Sequence, residues 1–212
     1  MPYKEDREYR NFQSFEIRAA EEGEEPSFLV EGYASTFEPY VLFEMDGIQY
    51  KEQILPDAFE GTDMSDVIFV KDHQGTVYAR TKNGTLNLST DTHGLKVTAD
   101  LSKTAAARES YEEIRTGMYD QMSFAFVVDD EEYNTTTHLR TIRHIKKLYD
   151  TSFVSFPANP GTDISVSTRS RFEGYIEQEK AERLAEEKRL KEAIAKFNFE
   201  KEKSYGIKRH DP

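Results

Sequence analysis

The sequence has 212 residues, 40 Asp+Glu against 28 Lys+Arg for a net charge of −12, 37% hydrophobic residues, and neither Cys nor Trp. That size and apolar content suit one globular domain with an appendage, while the absence of cysteine excludes disulfides, zinc fingers, iron–sulfur clusters and thiol catalysis, so a covalent nucleophile must be Ser, Thr, Lys or a carboxylate. The acidic balance repels phosphate backbones, and the longest apolar run, Phe124–Val128, is far short of the ~18 residues of a membrane span, so neither a nucleic-acid partner nor a membrane segment is expected and the cytoplasm is the default compartment.

Taken in chain order, the charged N-terminal stretch MPYKEDREYR and the acidic cluster Glu21–Glu25 read as solvated segments rather than a secretory leader. Val67–Val70 is a short, wholly apolar run, fit for a strand buried on both faces. Lys71-Asp72-His73 follows it directly. A His at the mouth of a rigid strand is held in place yet reachable, which suits a general base, although a lone His at a turn is more often structural. Leu86 and Leu88 alternate before Asp-Thr-His-Gly, and Leu95, Val97, Ala99 and Leu101 alternate after it, which predicts a hairpin over residues 85 to 101. Residues 104 to 116 read as a helix, capped by Ser102 or Thr104 and closed by Gly117 in the left-handed C′ position.

Gln121–Val128 alternates as a strand, with Met122, Phe124, Phe126 and Val128 on one face and Ser123 on the other. A Ser hydroxyl is inert until a neighbouring base takes its proton, so Ser123 matters if His73 lies beside it. A third group would orient the imidazole, and Asp150, His144, His138, His93 and Asp72 are all available, with spacing favouring none. Asp129–Glu132 reads as a solvated loop, and further strands are expected near Leu139–Leu148 and Ser152–Phe156, the second closed by Pro157 and Pro160. With no HExxH, HxH, EF-hand loop or Gly-rich phosphate loop, no metal or cofactor is expected.

Charge divides the chain near residue 170: residues 171–212 hold 11 Lys+Arg and 10 Asp+Glu, leaving 17 basic and 30 acidic residues before them. From Phe172 to Lys203 the tail reads as one long helix, with a thin stripe of Leu190, Ile194 and Phe197, either simply solvated or packed on a partner. Many short strands with few helices predict a β-rich α+β domain, closer to a barrel or sandwich than to a doubly wound sheet.

Six segments occur in a telling order: Val30-Glu-Gly-Tyr-Ala-Ser35, Glu52-Gln-Ile-Leu-Pro-Asp-Ala-Phe59, Val70-Lys-Asp-His73, Gly94-Leu-Lys-Val97, Gly117 followed by Met122-Ser-Phe-Ala-Phe126, and Asp150-Thr-Ser-Phe-Val-Ser-Phe-Pro-Ala-Asn159. This succession resembles the prohead serine proteases of tailed phages over roughly residues 28 to 170. It departs at Asp57 and Ala125, where Gly is usual in the family. The resemblance implies an antiparallel β-barrel of herpesvirus-assemblin type ringed by helices, with residues 1–170 as the protease domain and 171–212 as a charged helical tail, a candidate for scaffold targeting or self-cleavage. It also implies that His73 is the general base, Ser123 the nucleophile and Asp150 the third member, with His144 as the reserve choice. Its implied substrates are the major capsid protein and scaffold, cut inside the prohead in the host cytoplasm, with self-association and self-cleavage as further expectations. The contrasting reading is a catalytically silent capsid-assembly or scaffold-binding protein on the same fold.

Overall fold

The computed structural model describes residues 7–12, 28–155 and 166–204. In chain order its elements are β1 (Glu8–Phe12), β2 (Leu29–Thr36), β3 (Tyr40–Met45), β4 (Ile48–Ile54), β5 (Ile68–Lys71), β6 (Gln74–Arg80), a 3₁₀ turn (Thr81–Asn83), β7 (Leu86–Thr90), β8 (Gly94–Asp100), α1 (Ala105–Arg115), β9 (Gln121–Asn134), β10 (Leu139–Val154) and α2 (Val166–Ser204). The chain falls into two compact units, Met1–Arg169 and Ser170–Pro212.

The strands of the first unit form two sheets. The larger runs β1-β9-β10-β4-β3, with β5 also on β10 and β6 on β5; the smaller runs β2-β8-β7. β10 is the spine of the larger sheet. One edge pairs antiparallel with β9 from Leu139 to Val154, and the other pairs parallel first with β4 at Leu139–Ile142 and then with β5 at Asp150–Phe153. The β-rich α+β class therefore holds, whereas the expected closed antiparallel barrel ringed by helices is not what these pairings form: among the described residues they make two sheets, two pairings are parallel, and α1 is the only α-helix of the body.

Residues 139–154 are also one strand rather than the two expected. Register shifts between Ile142 and His144, Ile145 and Lys147, and Leu148 and Asp150 explain the difference. Each irregularity lets the strand slip relative to β9 without ending, and each breaks the period-two alternation by which a strand is read from sequence. Asp129–Glu132 likewise lies inside β9, not in a loop. There Asp129 engages His144, Glu131 bonds Arg140, and Glu132 pairs with Arg143. The clusters at Glu21–Glu25 and at Pro157 and Pro160 fall outside the described residues.

The hairpin β7–β8 and helix α1 form as expected. Thr104 caps α1 by accepting the N–H of Ala107 at 3.0 Å, and Gly117 takes φ +76° just beyond the helix. Ala107, Ser110, Tyr111 and Ile114 make the buried stripe of α1. Three of them join one apolar core with Val30, Leu95 and Val97 of the small sheet and Phe69, Phe124, Phe126, Ile145, Leu148 and Phe153 of the large one. Gly94 marks a point of close approach, because a Cβ there would lie 1.8 Å from the Ser35 carbonyl oxygen on β2.

A second, ionic core joins the strands. Glu8, Arg10, Glu52 and Arg140 are all essentially inaccessible. Glu52 accepts from Arg10 Nε at 2.6 Å and from Arg140 Nη1 at 2.6 Å, and Glu8 accepts from Arg10 Nη2 and Arg140 Nη1 at 2.7 Å. This cluster links β1, β4 and β10, and Tyr40 of β3 adds its hydroxyl to Glu52. Buried charges need such mutual pairing, since removing one partner leaves another desolvated and unmatched.

Helix α2 runs from Val166 to Ser204, starting six residues before the expected helix, and makes up most of the second unit. Leu190, Ile194 and Phe197 are exposed at 60%, 52% and 65%.

Candidate active site

β5 is buried and ends at Lys71, which pairs with Gln74 of β6, so Asp72 and His73 form a two-residue hairpin loop. Both take positive φ, +48° and +57°. Primed two-residue turns require that conformation, and Asp and His are among the side chains that tolerate it better than most, though at a cost. The loop is held from β10: the Asp72 N–H donates to the Phe153 carbonyl at 3.1 Å, and the His73 N–H donates to Ser152 Oγ at 3.2 Å.

These contacts set the imidazole over one face of the large sheet. Across β1, β9 and β10 the register places Tyr9, Ala125 and Asp150 in one row and Asn11, Ser123 and Ser152 in the next. Directly opposed residues of antiparallel strands project to the same side, so this face carries Ser123 and Asp150 while Phe124 and Thr151 face the other way. His73 spans the two rows. Its Nδ1 is 2.5 Å from Asp150 Oδ1 and its Nε2 is 2.5 Å from Ser123 Oγ. An ionised carboxylate can only accept, so Nδ1 carries the proton and Nε2 is left as the acceptor for the Ser123 hydroxyl. The arrangement can therefore deprotonate Ser123 and hold the imidazolium that results.

The other proposed members lie elsewhere. His144 Nδ1 meets Asp129 Oδ1 at 2.5 Å and its Nε2 donates to the Glu60 carbonyl at 3.1 Å. The hydrogen bond to Asp129 holds the His144 imidazole above its ordinary value. His138 packs on Tyr50 and His93 on Tyr33. Asp72 accepts from the Ser155 N–H. Of the five residues that spacing left open, Asp150 is the one placed on the His73 ring by a hydrogen bond, at Nδ1. Lys71 is no rival nucleophile: burial lowers its ammonium, but bonds to Tyr119 and Glu113 outweigh that and hold it charged above its ordinary value. Among the described residues, no three His, Asp or Glu side chains are grouped as metal ligands.

A family model described as caudovirus prohead serine protease matches residues 13–178, most of the chain. The chain belongs to that family. No curated protein and no solved structure matches it. Membership makes this a serine peptidase family of phage capsid maturation, and β1 precedes the matched span.

Two features of this site escape sequence reasoning. Ser152 Oγ lies 3.1 Å from His73 Nδ1 and 3.0 Å from Asp150 Oδ1; its place two residues after Asp150 on a strand was the available signal. Tyr9 sets its ring edge-on to the His73 imidazole, with centroids 4.6 Å apart. Ala125 stands between Tyr9 and Asp150 in that row. Nothing local in the sequence brings residue 9 to residue 73.

Proposed function

We propose that this chain is a serine endopeptidase of capsid maturation with His73 as general base, Ser123 as nucleophile and Asp150 as the orienting carboxylate. The observation that carries the proposal is the single imidazole bridging Ser123 Oγ and Asp150 Oδ1 at 2.5 Å on each side. His73 Nε2 takes the Ser123 proton as Oγ attacks a peptide carbonyl, Asp150 keeps Nδ1 protonated and stabilises the imidazolium, and the same proton then goes to the leaving amine. Water, activated by His73, resolves the acyl-enzyme and restores the resting site. Ser123 is fully buried, so a peptide carbonyl or a phosphonate alike reaches Oγ through local opening of the surrounding chain.

Family membership supports the further reading that the substrates are scaffold or the scaffolding segment of the major capsid protein, cut inside the prohead in the host cell, with self-cleavage and self-association as parts of the same programme. The body of residues 1–170 would be the protease and the charged tail of 171–212 its scaffold-targeting or removable segment. The exposed Leu190, Ile194 and Phe197 on α2 are compatible with a docking role for that tail. The likeness to herpesvirus assemblin rests on the order of the sequence motifs.

A fluorophosphonate tests the chemistry without a known substrate. Peptide mapping is expected to find one phosphonyl adduct, on Ser123, absent from Ser123→Ala and from His73→Ala. An adduct elsewhere, or equal labelling of both variants, overturns the assignment.

A further inference from the structure

We infer that Ser152 is a positioning residue for the catalytic histidine, fixing both its backbone and its proton. The inference rests on the protease reading above and adds a fourth side chain to it. His73 sits in a strained conformation, φ +57°, in a loop of two residues, where nothing in the loop itself prevents the backbone from relaxing. Ser152 is inaccessible on the spine strand β10, rigidly paired on both edges. From there one hydroxyl touches three groups: it accepts the His73 backbone N–H at 3.2 Å, and lies 3.0 Å from Asp150 Oδ1 and 3.1 Å from His73 Nδ1.

The donor count fixes how that hydroxyl is used. A serine hydroxyl has one proton and two lone pairs. Its proton goes to Asp150 Oδ1, because the carboxylate has none to give and one of its oxygens already receives the Nδ1 proton. The lone pairs then face the His73 N–H and the Nδ1–H. Donation to Asp150 therefore enforces the tautomer in which Nε2 is bare toward Ser123; a Ser152 proton turned to Nδ1 would place the ring proton on Nε2, where it cannot act as a base. The same hydroxyl clamps the loop backbone, so one atom supports both the ring position and the ring protonation that Asp150 sets.

Thr151 is the internal control. It is one residue away on the same strand and equally buried, but it faces Phe69 and Phe124 and its hydroxyl has no hydrogen-bond partner. Thr151→Val therefore reports what altering a buried hydroxyl of β10 does when no group of the His73 network is touched. The comparison is Ser152→Ala against Thr151→Val in the full chain, with fluorophosphonate as the probe of Ser123 and the imidazole N–H resonances as a probe independent of reaction. Ser152→Ala is expected to lower the maximal phosphonylation rate by ~10–100-fold, the scale on which a small misplacement of a catalytic group acts, while the half-saturating concentration stays near that of Thr151→Val. It is also expected to broaden or lose the downfield His73 Nδ1–H signal, assigned by its absence from His73→Gln. Equal rates and an intact signal in Ser152→Ala overturn the inference. An unreactive wild type in which Ser152→Ala still loses the signal overturns the protease reading while supporting the hold of Ser152 on the ring.

Discussion

Glu52→Gln is the substitution whose cost can be worked most directly from the structure. The carboxylate is fully buried, with Arg10 Nε on Oε1 at 2.6 Å, Arg10 Nη2 and Arg140 Nη1 on Oε2 at 2.7 and 2.6 Å, and the Tyr40 hydroxyl as a fourth donor. Glu8 and Glu52 are the two fully buried carboxylates facing Arg10 and Arg140, with Glu131 adding a partly exposed one on Arg140, so the amide removes one of the two buried counter-charges and turns an NH₂ toward guanidinium donors. Breaking a buried pair in this way costs about 3–5 kcal/mol. For a chain of this size that is a fall in melting temperature of about 6–20 °C, at roughly 2–4 °C per kcal/mol. The pH dependence has a definite sign. Burial alone would raise the Glu52 carboxyl, but Arg10 and Arg140 outweigh it and hold the group below its ordinary value of 4.5. A carboxyl lowered on folding stabilises above its unfolded value and loses that contribution as pH falls through the folded one. Thermal unfolding followed by circular dichroism should therefore show the full gap between wild type and Glu52→Gln at neutral pH and a narrowing gap below pH 4.5. A gap under about 2 °C at neutral pH, the size of a surface substitution, would refute the reasoning.

Asp150→Asn should keep the fold but permit the wrong tautomer of His73, lowering the phosphonylation rate of Ser123 by about 10⁴, the loss that an Asp→Asn change produces in a serine-protease triad; a loss within tenfold would contradict it. His144→Gln should leave Ser123 as reactive as in wild type. Because the hydrogen bond to Asp129 raises the His144 imidazole, its contribution is complete below about pH 6.5 and disappears as pH rises through the folded value. Denaturant unfolding should accordingly separate wild type from His144→Gln in mild acid and not in alkali. Gly94→Ala drives a methyl group into the Ser35 carbonyl, and the backbone shift this forces should cost about 1–3 kcal/mol in the same assay.

The parts of the fold that could be read in the sequence are local. The hairpin around Asp91–Gly94 and helix α1 between Thr104 and Gly117 follow from alternation, a capping hydroxyl and a glycine, all within a few residues of one another. The apolar run ending at Val70 and the Ser123 face of β9 were visible for the same reason. β10 reads as two strands, Leu139–Leu148 and Ser152–Phe156, because its bulges erase the alternation that pairing with β9 carries through in three dimensions. The ionic core was not visible, because Glu8, Arg10, Glu52 and Arg140 look like surface charges until strands more than 40 residues apart bring them together. In the site, spacing offered His73 and Ser123 as candidates and left five choices for the third group; the choice of Asp150 came from motif resemblance. Ser152 and Tyr9 depend on register across β1, β9 and β10, which no local pattern encodes.

The most direct test of the central claim is intact-mass and gel analysis of wild type and Ser123→Ala, each co-expressed with the major capsid protein and scaffold of the same phage. The account predicts truncated capsid protein, scaffold or protease tail in wild type and full-length chains in Ser123→Ala. Identical truncation in both would remove Ser123 from the mechanism, and intact chains in both, with normal particles assembled, would identify a silent assembly protein instead.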